Sequence, residues 1–266
     1  MGENSAIEWT KHTWNPWQGC RKVSSGCENC YMYRDKKRYG QDPATVIRSA
    51  KNTFNLPLKW SDPANVFVCS WSDFFIEDAD EWRPEAWEII RKTPHLTYQL
   101  LTKRELNIAD RLPADWGNGY PNVWLGVTAE NQEQADKRIP LLLQTPAAVY
   151  FVSHEPALGS IVYPSEFLAL GRKALIITGG ESGPGARPMH PDWARLDRDQ
   201  CQAAGVPYFF KQWGEYSPIF DGKTRYENVH SGAGMDEPCP MYRVGKKAAG
   251  RLLDGREHNE MPAVKP

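Results

Sequence analysis

The sequence predicts an α/β fold: a full or partial (βα) barrel of about six to seven parallel strands, followed by a C-terminal extension. Three observations carry that expectation. Short apolar runs recur along the chain. Most are followed by a helix-compatible stretch. The runs are near-continuously apolar and do not alternate cleanly. Strand–helix alternation means repeated βα units, and strands without alternation are buried on both faces, as in a parallel sheet. Periodicity does not fix closure, so a doubly wound open sheet is the second architecture the pattern allows. In either, ligands gather at the carboxyl ends of the strands.

A strand is possible at Thr13–Gln18, ahead of six clearer ones. These are Val66–Trp71, Leu96–Thr102, Asn122–Thr128, Ala148–Ser153, Ala174–Thr178 and Val206–Lys211, all rich in β-branched or aromatic residues. Four helices are expected between them. Glu28–Tyr39 is rich in Tyr, Lys and Arg. Pro84–Arg91 opens with Pro at a plausible first helical position, where a missing N–H costs nothing. Asn131–Leu143 places Ala135, Ile139 and Leu142 on one face. Pro191–Ala204 starts with Pro and ends at Gly205, a good C-cap. From Tyr216 the composition shifts to Gly, Pro and charge, with a helix expected only at Val244–Leu253. The domain expectation is a barrel over residues 1–215 and an extension over 216–266 packed on it.

At 266 residues the chain is long enough for a substantial core. Hydrophobic residues at 41% against 24% charged argue against disorder. A net charge of −1 argues mildly against a protein held to nucleic acid by bulk electrostatics. No apolar run approaches the roughly 20 residues of a membrane span, and the polar N-terminus does not read as a signal peptide. A cytoplasmic, membrane-free protein is expected. In that compartment six cysteines are not disulfide partners, and the clustering of three of them points to metal. The eleven tryptophans suit core packing or an open aromatic cleft.

The clustered cysteines are Cys20, Cys27 and Cys30, six and then two residues apart. Gly19 and Gly26 precede two of them and let the backbone curl around a bulky group. Three cysteines are one short of an electron-transfer 4Fe–4S cluster, which leaves one iron open to another ligand. A zinc site also wants four ligands, and His12 would have to complete it from an unusual spacing. A dithiol at Cys27 and Cys30 leaves Cys20 unexplained.

The stretch Asn15-Pro16-Trp17-Gln18-Gly19-Cys20, followed by Cys27-x-x-Cys30-Tyr31, resembles the cluster loop of the radical S-adenosylmethionine superfamily, in particular its spore photoproduct lyase branch. It departs from the usual pattern in having six residues, not three, between the first two cysteines. Over nearly the whole chain the sequence is similar to a phage-borne family of unknown function with a three-cysteine motif. The matching stretches are Trp9–Tyr31, Ser70–Phe75, Leu101–Arg104, Leu125–Asn131, Ser153–Gly159, Thr178–Pro188, Phe210–Glu215 and Gly245–Pro262. The resemblance implies a 4Fe–4S cluster on the three cysteines and S-adenosylmethionine bound to the open iron. It also implies a 5′-deoxyadenosyl radical that abstracts hydrogen from substrate, and a flavodoxin- or ferredoxin-like reductant as partner. A nucleic-acid base or nucleotide is the first expectation for the substrate. A zinc-stabilised binding module, or an iron–sulfur protein serving a partner enzyme, are the readings from other classes.

Further polar residues follow the expected strands. Ser70, Ser72 and Asp73 would suit an ammonium group, or cap the next segment. Lys103 and Arg104 would suit a carboxylate, or form a solvated basic pair. Thr128, Glu130 and Asn131 would bind ribose hydroxyls, or begin a helix. His154 and Glu155 are the acid–base candidates, with a structural pair as the alternative. Gly179, Gly180, Glu181 and Ser182 permit close backbone approach to a cofactor, without the glycine spacing of a dinucleotide fingerprint. Arg187 and Lys211–Trp213 would face a polar or anionic substrate, or simply the surface.

Overall fold

The computed structural model describes residues 2–219, 222–224, 226–230 and 238–263. β1 (His12–Trp14) opens the main sheet, and β2 (Trp17–Gln18) leaves it. The strand expected over Thr13–Gln18 is broken there by Pro16, which has no N–H to give a ladder. After α1 (Tyr31–Arg38), β3 (Ile47–Arg48) pairs antiparallel with β2, Trp17 opposite Arg48. Then come α2 (Lys51–Phe54), β4 (Ala64–Val68), α3 (Arg83–Lys92), β5 (Leu96–Thr102) and β6 (Val123–Thr128). They are followed by α4 (Gln132–Leu143), β7 (Val149–His154), α5 (Ser165–Leu168), β8 (Ala174–Gly179), α6 (Pro191–Ala204) and β9 (Tyr208–Gln212).

Seven of these strands form one sheet in the order β1-β4-β5-β6-β7-β8-β9. Neighbours in the sheet are neighbours in the chain order of its strands, as in a (βα) barrel. A doubly wound sheet would reverse its order part-way. β1 and β9 stand at the two ends of that order, so the topology is that of a partial barrel. β4 stops at Val68, short of the expected Trp71. Cys69 takes a φ of 60°, which a strand cannot continue, and its N–H bonds to the Trp14 carbonyl at 2.8 Å. All residues of β6 and β8 are buried, which is why neither alternates in sequence.

The chain is organised as two compact units. Among the described residues, one comprises the chain up to Val127 with Leu141–Tyr150, and the other Thr128–Pro140 with Phe151–Ala263. In the first, Trp87 on α3 meets Phe74 and Trp116, ring centroids 4.9 and 5.5 Å apart. In the second, α6 buries Trp193, Ala194 and Cys201. Nine of the eleven tryptophans are buried, so core packing accounts for the high count.

The extension holds more structure than its composition suggests. β10 (Tyr216–Ser217), β11 (Tyr226–Val229) and β12 (Cys239–Arg243) form an antiparallel sheet ordered β10-β12-β11. The helix expected over Val244–Leu253 is only α7 (Lys246–Ala249), cut off at Gly250 with φ 68°. Phe210 N–H bonds to the His258 carbonyl at 3.0 Å and Glu260 N–H to that of Tyr208 at 3.1 Å. Residues 258–260 thus cover the edge of β9, which would otherwise offer an open ladder. Residues 220, 221, 225, 231–237 and 264–266 of the expected extension lie outside the described residues.

Candidate functional site

The residues that precede Cys20 fasten the cysteine loop to the segment that follows β4. The Asn15 side-chain carbonyl accepts the Trp71 N–H at 2.8 Å, and its amide donates to Ser70 Oγ at 3.0 Å. The fully buried Trp17 donates its indole N–H to the Asp73 carbonyl at 3.0 Å. Gly19 donates to the Trp71 carbonyl at 2.9 Å and accepts from Ser72 Oγ at 2.6 Å. Its φ is 98°, and a Cβ there would stand 2.1 Å from the Thr45 carbonyl oxygen, so only glycine fits. Cys20 N–H then bonds to the Pro43 carbonyl at 2.9 Å.

Asp73 and Arg104 lie beside this loop, both nearly buried. One Asp73 oxygen accepts the Phe75 N–H at 2.9 Å and the Thr102 hydroxyl at 2.7 Å. The other accepts the Lys103 N–H at 3.0 Å and Arg104 Nη1 at 3.3 Å. Arg104 Nη1 also lies 3.5 Å from Cys20 Sγ, and Nη2 donates to the Arg21 carbonyl at 2.8 Å. Burial, and then the Asp73 charge, push the Cys20 thiol up to about 12, with Arg104 pulling the other way. The Tyr33 phenol, which bonds to the Cys20 carbonyl, is likewise pushed up to about 12, by burial and then by Cys20, Cys27 and Cys30.

Cys20, Cys27 and Cys30 are all free and half-buried. Among the described residues no three His, Cys, Asp or Glu side chains are gathered to hold a metal ion. His12 stacks on Trp60, ring centroids 4.6 Å apart, and its Nδ1 accepts the Asn4 N–H at 3.3 Å. It is engaged in packing, not poised as a fourth ligand. The donor set itself suits an iron–sulfur cube, which carries each thiolate on a separate iron instead of crowding all of them on one ion.

The first unit therefore brings Ser70, Ser72, Asp73 and Arg104 to the cysteine loop, with their side chains spent on protein partners. Lys103 is different: the residue is half-buried, and its side-chain amine makes no hydrogen bond or ion pair among the described residues.

The second unit holds the other candidates. Thr128 is buried, its hydroxyl without a partner. Glu130 is fully buried and ion-paired with Arg138 at 2.8 Å. Asn131 caps α4 by accepting the Gln134 N–H at 3.1 Å. His154 is fully buried, its Nδ1 2.7 Å from Asp197, which also accepts from Thr178 at 2.5 Å and Tyr163 at 3.0 Å. Glu155 pairs with Lys211 at 2.6 Å and lies against Gly179, both side chains retaining some exposure. A Cβ on Gly180 would stand 2.0 Å from the Trp213 carbonyl oxygen, so its lack of a side chain serves the protein's own backbone. Arg187 spends its fork on the Glu181 carboxylate, with Nη2 at 2.7 Å and Nε at 3.0 Å. Ser182 is half-buried beside it.

Sequence reasoning missed two things here. The Arg104–Cys20 contact spans 84 positions and leaves no local pattern. Asp197 looks like any polar residue of a surface helix, yet it is fully buried and organises three partners.

The family model described as "Protein of unknown function (DUF5131)" matches residues 4–262, nearly the whole chain. The chain belongs to this family. No curated protein and no solved structure matches it significantly. The family's description assigns no activity.

Proposed function

We propose that this protein is a radical S-adenosylmethionine enzyme whose 4Fe–4S cluster is held by Cys20, Cys27 and Cys30. The observation that carries the reading is a loop of three free, half-buried thiols that the chain ties to the end of the parallel strand β4 through Asn15, Trp17 and Gly19. Held by these cysteines, a cluster would supply one electron to S-adenosylmethionine, whose C–S bond would break to give methionine and a 5′-deoxyadenosyl radical able to abstract hydrogen. The chain's own residues fix the loop, set Arg104 beside Cys20 and leave the Lys103 amine available for a carboxylate. In the second unit the Lys211 amine donates to Glu155 Oε1 at 2.6 Å and both side chains keep some exposure, which makes this pair the acid–base candidate there. His154 is sealed against Asp197 and is not reachable.

All six cysteines are free, which supports a reducing, cytoplasmic setting. Among the described residues no helix is long and apolar enough to cross a membrane. A flavodoxin- or ferredoxin-like reductant and a nucleic-acid base or nucleotide substrate complete the proposal.

Anaerobic reconstitution tests the cluster. The wild type is expected to bind about four irons per chain. Cys20→Ala, Cys27→Ala and Cys30→Ala are each expected to lose them, and Cys69→Ala, Cys201→Ala and Cys239→Ala to keep them. Stoichiometric zinc without iron, or full iron in Cys27→Ala, would overturn the assignment.

A further inference from the structure

We propose that Arg104 sets the reduction potential of the cluster through the Cys20 sulfur, with Asp73 as its opposing charge; the inference rests on the cluster reading above.

The geometry is specific. Arg104 follows β5, is 8% exposed, and directs Nη1 at Cys20 Sγ from 3.5 Å. The same nitrogen lies 3.3 Å from Asp73 Oδ2, Nη2 is fixed on the Arg21 carbonyl at 2.8 Å, and Nε lies 3.8 Å from Glu77. The guanidinium is therefore held on three sides while one N–H group meets the sulfur. Asp73 is equally fixed, by the N–H groups of Phe75 and Lys103 and the Thr102 hydroxyl. Neither charge is free to swing into solvent.

Arginine stays protonated in proteins, so a thiolate at Cys20 sits against a permanent, poorly solvated cation. Reducing the cluster adds one electron, delivered by a chemical reductant such as dithionite, and changes no bond or proton at the thiolates. The added negative charge is stabilised by Arg104 and opposed by Asp73. Hydrogen bonds to ligand sulfurs and net charge nearby are levers on cluster potential, and charges as buried as those of Arg104 and Asp73 are screened less than exposed ones. Arg104 accordingly raises the potential and Asp73 lowers it. A stabilising ion pair alone predicts no such opposition, because losing either partner would simply loosen the same loop.

The experiment is an anaerobic dithionite titration followed by electron paramagnetic resonance, on reconstituted wild type, Arg104→Gln, Arg104→Lys and Asp73→Asn. Iron content and circular dichroism are recorded on each. The expected result is a midpoint below wild type for Arg104→Gln, above it for Asp73→Asn, and between wild type and Gln for Arg104→Lys, which keeps the charge but loses the fork. Should Arg104→Gln not fold, the Lys and Asn variants still give the two opposed shifts. Iron-loaded variants whose midpoints equal wild type, or all move the same way, would overturn the role of Arg104 while leaving the cluster in place. A wild type that binds no iron would overturn both.

Discussion

Asn15 shows how a residue read as part of a cysteine motif acts by holding the loop in place. Its side chain is 3% exposed and satisfies the Trp71 N–H and the Ser70 hydroxyl. Asn15→Ala leaves that backbone donor unpaired, at a cost of about 1–3 kcal/mol. Urea unfolding is expected to show a lower midpoint with an unchanged slope; an unchanged midpoint would mean that the loop is held some other way. Gly180 makes the converse case. Its value for a ligand is legible in the sequence, but the constraint found is the Trp213 carbonyl. Gly180→Val is expected to lower the melting temperature whether or not S-adenosylmethionine is present. A ligand-binding defect in a protein of wild-type stability would return the glycine to the cofactor. Cys20 and Gly19 were legible because their spacing is local. Arg104 was visible only as a cation after a strand, since its partner lies 84 positions away.

The boundaries of α6 illustrate what end signals convey at the scale of an element. Pro191 and Gly205 mark its ends in the sequence, and Gly205 indeed takes φ 67°. The N-cap is His190, a residue type not among the usual caps, whose Nδ1 accepts the Asp192 N–H at 3.1 Å. That bond needs the neutral ring. Burial, the largest cause, lowers the His190 pKa below its ordinary 6.5. The unfolded chain therefore binds more protons in this range, and the stability His190 contributes is full above 6.5 and lost as pH falls from there through the folded value. His12 and His258, also lowered chiefly by burial, add in the same sense. Denaturation between pH 7 and pH 5 is expected to show falling stability, with a shallower fall in His190→Asn, which keeps a capping side chain. His190→Ala is expected to cost about 1 kcal/mol at neutral pH. An identical slope in His190→Asn and wild type would remove His190 from the explanation.

For the whole molecule, the parallel sheet was legible because its strands are buried on both faces and therefore apolar without interruption, as β6 and β8 show. The antiparallel sheet of the extension was not. Its β11 exposes Tyr226, Glu227 and Asn228, so no apolar periodicity announces a strand. The division near Val127 was also invisible, because it falls within β6 and leaves no Gly- or Pro-rich linker. The central claim is that the thiols tied to the end of β4 serve radical chemistry on S-adenosylmethionine. The most direct test is to incubate anaerobically reconstituted wild type and Cys27→Ala with dithionite and S-adenosylmethionine, and to follow 5′-deoxyadenosine by chromatography. The account predicts slow accumulation of 5′-deoxyadenosine and methionine with the wild type, even without substrate, and none with Cys27→Ala. Iron-loaded wild type that yields neither product under strong reductant would contradict it.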